Sequence, residues 1–142
     1  MILVDTSVFI AASLKDHPMH LSSFELLSRV KKEKSGRFVC SHTLAEVYAT
    51  LTAYPVTPMI SPVLGEKFIE ENILSSFQIV DLQPVDYREA IQRVRARGLR
   101  SGAIYDALIY QAAKKSGAKK LYTWDLGDFK RLTDPEISIL AP

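Results

Sequence analysis

Ile2-Leu3-Val4-Asp5-Thr6-Ser7 opens the chain with three apolar residues, a carboxylate and two hydroxyls. An apolar run of strand length followed at once by capping residues reads as a buried strand, residues 2–5, that feeds a helix through Ala12 with Thr6-Ser7 as its cap. A second run of this kind, Leu121-Tyr122-Thr123-Trp124-Asp125, also stops on an aspartate. In an open α/β sheet, ligands bind at the rim formed by the carboxyl ends of the strands, so both acids are expected there. Glu46 and Asp106 sit near the starts of helix-like segments whose other residues are largely apolar. Four carboxylates converging on one rim repel one another unless a cation neutralises them, which points to a divalent metal.

Outward from the first strand, strands alternate with pairs of helices. After a loop at 16–20, where Pro18 disfavours helix, residues 21–34 carry Leu21, Phe24, Leu27 and Val30 at a spacing of three. With Leu26 they predict an amphipathic helix whose basic end, Lys31-Lys32-Glu33-Lys34, suits a helix carboxyl terminus. A strand at 38–40 follows, then a helix capped by Ser41 or Thr43 and running to about Tyr54 with Leu44, Val47, Tyr48 and Leu51 on one face. Pro55, Pro58 and Pro62 mark an irregular connection, then a helix at 62–74 and a strand at 77–82. Pro84 opens a helix to Gly98 with Val85, Ala90, Ile91 and Val94 on its apolar side. A helix at 103–115 stopped by Gly117, a strand at 120–123, a helical turn at 128–132 and a strand at 137–140 complete the order β-α-α-β-α-α-β-α-α-β-α-β. Such alternation argues a three-layer α/β/α fold around a mainly parallel sheet of four to five strands.

At 142 residues the chain fits one domain of ordinary size, and 47% hydrophobic with 24% charged residues is a globular composition. Cys40 is the single cysteine, which excludes an internal disulfide and a cysteine-rich zinc site. Its apolar neighbours make it a buried structural thiol, in keeping with a reducing cytoplasm. The first apolar run has no basic flank and is cut short by Asp5, so it does not read as a signal peptide. No stretch approaches the roughly 20 apolar residues of a membrane span.

Each acid also has a structural explanation. Asp5 is a good helix cap, and Thr43-Leu44-Ala45-Glu46 matches a capping box, although small Ala45 and Ala49 leave room beside Glu46 for a ligand. Asp106 is the least ordinary, because Ala103-Ile104-Tyr105-Asp106-Ala107-Leu108-Ile109-Tyr110 is apolar on nearly every side and reads as buried. An unpaired carboxylate there costs several kcal/mol, which the helix dipole offsets by only about 0.3–1 kcal/mol. Asp125 and Asp128, in Thr123-Trp124-Asp125-Leu126-Gly127-Asp128-Phe129, both suit a turn or a cap. Oxygen-only donors without a histidine or cysteine cluster suit Mg²⁺ or Mn²⁺ rather than zinc.

With these residues in place the chain resembles the PIN-domain family, and within it the VapC-type toxins of toxin–antitoxin pairs. Val4-Asp5-Thr6-Ser7, Glu46, Tyr105-Asp106-Ala107-Leu108-Ile109 and Thr123-Trp124-Asp125 with Asp128-Phe129 resemble the family's four acidic motifs in order. The resemblance runs from Met1 to about Leu140, so residues 1–142 read as one PIN domain. It implies a metal-dependent endoribonuclease in which Asp5, Glu46, Asp106 and Asp125 hold one or two Mg²⁺ or Mn²⁺ ions, partly through water. Water activated by the metal then attacks the phosphodiester. Asp128 is the second candidate for the fourth acid, and Thr6, Ser7 and Thr123 are candidates to orient ligands or bind phosphate. The family also implies a homodimer and a small antitoxin whose tail covers the active site. Tyr48, Leu51, Tyr54 and the proline-rich stretch are surfaces that could serve either contact, and equally core.

Arg88, Arg93, Arg95, Arg97 and Arg100 form a basic cluster opposed by Glu89, and Lys114, Lys115, Lys119 and Lys120 form another. Either suits RNA phosphates or a plain solvated face, with Arg100 and Ser101 best placed for RNA. His17 and His20 lie in a loop that could reach RNA, but stay outside the catalytic set. A haloacid-dehalogenase-like phosphatase needs a second acid two residues after the first, where this chain has Ser7. A response-regulator receiver would need neither Glu46 nor Asp106. The remaining alternatives are a PIN-fold module that binds RNA or protein without catalysis, and an RNA-processing nuclease without an antitoxin.

Overall fold

The computed structural model describes residues 1–33 and 36–142. Its centre is a five-stranded sheet in the order β3-β2-β1-β4-β5, with every pairing parallel. The strands are β1 (Ile2–Val4), β2 (Arg37–Cys40), β3 (Gln78–Val80), β4 (Lys120–Tyr122) and β5 (Ser138–Leu140). The chain winds from β1 outward through β2 to β3, then returns to place β4 on the free side of β1. The winding therefore reverses between β1 and β4, and the crevice beyond their carboxyl ends is where a ligand site is expected. Leu3 pairs with Leu121 and Val4 with Tyr122. Asp5 and Thr123 leave the sheet side by side, and Asp5 N–H still donates to the Tyr122 carbonyl at 3.0 Å.

Alternation along the strands builds the layers. Ile2 and Val4 face one side, packed with Val8, Phe9, Leu26, Val47 and Leu51. These come from α1 (Thr6–Ser13), α2 (His20–Lys32) and α3 (Ser41–Ala53). Leu3, Cys40 and Leu121 face the other side, against Ile109, Tyr110 and Ala113 of α6 (Ala103–Ser116) and Phe129 of α7 (Leu126–Leu132). Outside α6 lies α5 (Pro84–Ala96), which contributes Ala90 and Val94. Helix α4 (Pro62–Ile69) runs on into a π-helical turn at Glu70–Leu74. The α/β/α order expected from the sequence is thus present, with all five strands parallel. No helix among the described residues is long and apolar enough to cross a membrane.

Several local expectations are corrected. Helix α1 starts at Thr6 with Asp5 as its cap, so Thr6 and Ser7 are helical residues rather than the cap. Helix α3 starts directly from the strand with Cys40 in the cap position and no side-chain cap, so neither Ser41 nor Thr43 serves. Leu21 and Phe24, assigned to the buried side of α2, are 66% and 55% exposed, while Ser23 is buried in their place. The reason is tertiary: Ser23 Oγ accepts the Trp124 indole N–H at 2.8 Å, so the buried stripe runs through Ser23, Leu26, Leu27 and Val30. Likewise Val85 and Ile91 of α5 face outward and Asp86 faces inward, where Lys115 Nζ meets its carboxylate at 2.6 Å. Helix α2 ends at Lys32, and Lys34 of the expected basic end lies outside the described residues.

The end of α2 is instead closed by Arg37 of β2, whose guanidinium donates to the Lys31 and Glu33 carbonyls at 3.0 Å and to Ser76 O at 2.9 Å. The basic cluster on α5 is also partly structural. Arg93 and Arg97 clasp Asp134 at 3.0 and 2.8 Å, so Glu89 is not its sole opposing charge. Arg93 also lies over the Tyr110 ring, 4.7 Å from its centre. Cys40 is buried, which pushes its thiol up to about 11 and suits a packing role.

Phe129 holds the short helix α7 to the sheet and is fully buried. Phe129→Ala is expected to cost about 3–5 kcal/mol, read as a lower urea midpoint at unchanged slope.

Candidate active site

Asp5, Glu46, Asp106 and Asp125 line one cavity of about 340 Å³ at the carboxyl rim, together with Thr6, Ser7, Ile10, His17, Thr50, Ile109 and Trp124. Four separate elements deliver the acids. Asp5 follows β1, Glu46 stands on α3, Asp106 lies in the first turn of α6, and Asp125 caps the backbone of α7 after β4. The lining contains no lysine or arginine.

Asp5 is held hardest. Its Oδ2 accepts from Ser7 Oγ at 2.6 Å, Thr123 Oγ1 at 2.8 Å and Ser7 N–H at 3.3 Å. Oδ1 has no hydrogen-bond partner among the described residues. Burial pushes the Asp5 carboxyl up to about 6, against those donors, and the neighbouring Asp125 charge adds to the rise. Asp106 is pushed up to about 7, first by desolvation and then by the charges of Asp5, Asp128, Asp125 and Glu46. It is only partly covered rather than fully buried as the sequence suggested. Asp125 is raised by burial and by Asp128.

The capping box expected for Glu46 is absent. Its Oε2 accepts from Thr6 Oγ1 of α1 at 2.8 Å, and its Oε1 stands 3.8 Å from His42 Nε2 one turn earlier on α3. Thr6 Oγ1 also lies 3.3 Å from Thr43 Oγ1, so Thr43 contributes to holding Thr6 rather than to a cap. Thr50, four residues on from Glu46, shares the cavity wall, whereas Ala45 and Ala49 do not line it. Thr123 links the Asp5 carboxylate to the backbone of Asp125, because its Oγ1 also accepts the Asp125 N–H at 2.9 Å. Trp124 N–H donates to Ser7 Oγ at 3.0 Å, which together with the indole–Ser23 bond fixes the aromatic wall.

Asp128 is not in this cavity. It pairs with Arg131 and lines a neighbouring hollow of about 360 Å³ with Arg100, Gly102 and Asp106. Asp106 is thus the wall between the two spaces. Arg100 faces the second hollow, and Ser101 adopts a left-handed backbone, φ 53°, at the turn before α6. The cavity wall includes His17, which the sequence kept outside the catalytic set, and beside Glu46 stands His42, which it did not single out and which stacks on Tyr105 at 5.1 Å between ring centres. The His42–Glu46 spacing of four was the available signal for the second; a loop histidine offers none. A shallow apolar groove bounded by Tyr48, Pro62, Val63 and Ile69 lies apart from the acids, and Leu51 is core.

Residues 2–135 match the PIN domain. The chain belongs to the PIN-domain family. It is 32% identical over 126 residues to Ribonuclease VapC40 of Mycobacterium tuberculosis, covering 89% of this chain and 87% of that protein. Among solved structures it is similar to VapC20 of M. tuberculosis, described as a sarcin-ricin-loop-cleaving toxin, with a TM-score of 0.76, 17% identity and coverage of 96% and 98%. It is similar also to VapBC2 from Rickettsia felis bound to a promoter DNA fragment, with a TM-score of 0.70, 23% identity and coverage of 99% and 98%. The PIN-type fold read from the four motifs is thereby established, and with it the VapC-type relationship.

The raised acids of this PIN domain set the sign of a pH effect. A carboxyl whose pKa rises on folding, such as Asp106 from 3.8 to about 7, keeps its proton in the folded state while the unfolded state has lost it. Stability therefore falls as pH rises through that window. In EDTA, Asp106→Asn is expected to melt above the parent protein at pH 7.5, with the gap closing toward pH 4; thermal unfolding across pH measures it.

Proposed function

We propose that this PIN-domain chain is a divalent-metal-dependent endoribonuclease of the VapC kind, the toxin of a toxin–antitoxin pair. The observation that carries the reading is the cavity of four carboxylates with no basic side chain in its lining. An anionic substrate cannot approach such a surface unless a cation is present. Among the described residues no three His, Cys, Asp or Glu side chains are gathered tightly enough to chelate an ion by themselves. The carboxylate oxygens of the lining suit Mg²⁺ or Mn²⁺, because Mg²⁺ keeps several waters and takes one or two carboxylates directly. Asp5, Glu46, Asp106 and Asp125 are the residues that would hold it, directly or through water. Bound there, the cation would supply acidified water and offset negative charge on the phosphate.

The protein's own groups prepare this chemistry. Ser7 and Thr123 occupy Oδ2 of Asp5 and leave Oδ1 for a ligand. Thr6 fixes one oxygen of Glu46 and leaves the other facing His42. Ile10, Ile109 and Trp124 wall the cavity with apolar surface, which lowers the local dielectric and strengthens every charge interaction inside it. Asp128, paired with Arg131 in the next hollow, ranks behind Asp125 as the fourth acid. VapBC2, similar in fold, is solved with its two components together. That supports a small antitoxin as this chain's partner, with the acidic cavity as the place it would cover.

The test is cleavage of a mixed set of structured and single-stranded RNAs in Mg²⁺, Mn²⁺ or EDTA. Cutting is expected with either metal and none in EDTA. Asp5→Asn and Asp106→Asn should each lower the rate at least about a hundredfold. Cutting that survives EDTA or both substitutions would refute the assignment.

A further inference from the structure

The connection between α1 and α2 is a closely tied turn. His17 N–H donates to Leu14 O at 2.9 Å, His20 N–H to His17 O at 2.9 Å, and Ser23 N–H to Met19 O at 3.1 Å. This holds the His17 ring between the four-acid cavity and a smaller hollow lined by Leu14, Pro18, Tyr54 and Val56. On one edge of the ring, Nδ1 accepts the Met19 backbone N–H at 3.1 Å. A backbone amide can only donate, so Nδ1 carries no proton and the neutral ring bears its hydrogen on Nε2. Nε2 has no partner among the described residues. The other side-chain donors of the lining are mostly spent: Thr6 on Glu46 at 2.8 Å, Ser7 on Asp5 at 2.6 Å, and the Trp124 indole on Ser23 at 2.8 Å. His17 and the exposed Thr50 hydroxyl are what remain.

We infer that His17 is a substrate-positioning residue, its Nε2–H donating to a non-bridging oxygen of the RNA phosphodiester that enters the four-acid cavity. The inference rests on the ribonuclease reading and adds to it the group that orients the phosphate. A cavity walled by acceptors lacks donors, and a phosphate oxygen is the strong acceptor that a nuclease substrate brings. The Met19 contact fixes the tautomer and the turn fixes the ring, so the donor is in place before RNA arrives.

Two substitutions separate positioning from loop packing. His17→Asn keeps a short acceptor for the Met19 N–H, a contact asparagine makes readily in turns, but has no donor at the reach of Nε2. His17→Gln carries an amide N–H to about that reach. Steady-state cleavage gives kcat and KM. Fluorescence anisotropy of a labelled single-stranded RNA, in Mg²⁺ and with Asp106→Asn added to stop cutting, gives affinity.

His17→Asn is expected to raise KM and weaken RNA binding about tenfold or more, at an unchanged melting temperature, with His17→Gln recovering most of the loss. Parent-like KM and affinity in His17→Asn overturn the inference, as does an equal loss in both variants. If the parent protein binds RNA without cutting it, the nuclease reading fails, and the His17→Asn loss of affinity still supports the contact. If the parent neither binds nor cuts, both fall.

Discussion

The Asp5 carboxylate is the constraint around which this fold is arranged. It stands at the end of the central strand, 3% exposed, where the winding of the sheet reverses. A carboxylate there is tolerable only because three donors converge on one of its oxygens. Those donors come from the first turn of α1 and from the residue after β4. Anchoring one acid therefore fixes how the first helix leaves the sheet and how the fourth strand ends. Through Thr123 the same hydroxyl reaches Asp125, and through Thr6 the same helix turn reaches Glu46. Hydroxyls of the first helix turn and of the residue after β4 thus hold Asp5, Glu46 and the backbone of Asp125 in place.

Such a cluster costs stability, and the cost is carried away from the rim. The two faces of the sheet are packed with fully buried aliphatic and aromatic residues, Phe9 and Leu51 on one side, Tyr110 and Phe129 on the other. Elsewhere several charges are paired. Arg93 and Arg97 hold Asp134, and Lys115 holds Asp86 beneath α5. Ion pairs of this kind contribute modestly when exposed, but here they tie α5 and α6 to each other and to the segment after α7. Among the acids of the cavity, repulsion is left uncompensated. Binding sites commonly concentrate perturbed carboxylates in this way, because a ligand supplies what the fold withholds.

The element order was legible in the chain because strand and helix periods differ and because Pro62, Pro84 and Gly117 stand at helix ends. Helix faces were less legible. Spacing alone assigned Leu21, Phe24, Val85 and Ile91 to the interior, and all are exposed. In each case a polar residue, Ser23 or Asp86, took the inner position because a partner from another element satisfied it. Hydrophobic periodicity cannot register such partners, which lie far away in sequence. The capping box at Thr43 and Glu46 misled for the same reason: a local contact was available, and a contact with Thr6 across the fold prevailed.

Composition, strand-terminal aspartates and motif order determined the α/β/α architecture and the set of acids, since these depend on local pattern and on the rule that parallel sheets bind ligands at one rim. Tertiary structure decided which acids share a cavity. The sequence ranked Asp125 ahead of Asp128 on motif alone, the two standing three residues apart at the start of one short helix. Only the fold turned the first toward Asp5 and the second toward Arg131. It also brought His17, a loop residue the sequence left outside the catalytic set, to the wall of that cavity. Long-range packing sets such directions, because where a side chain points at a sheet rim depends on the crossing of distant elements rather than on its neighbours in the chain.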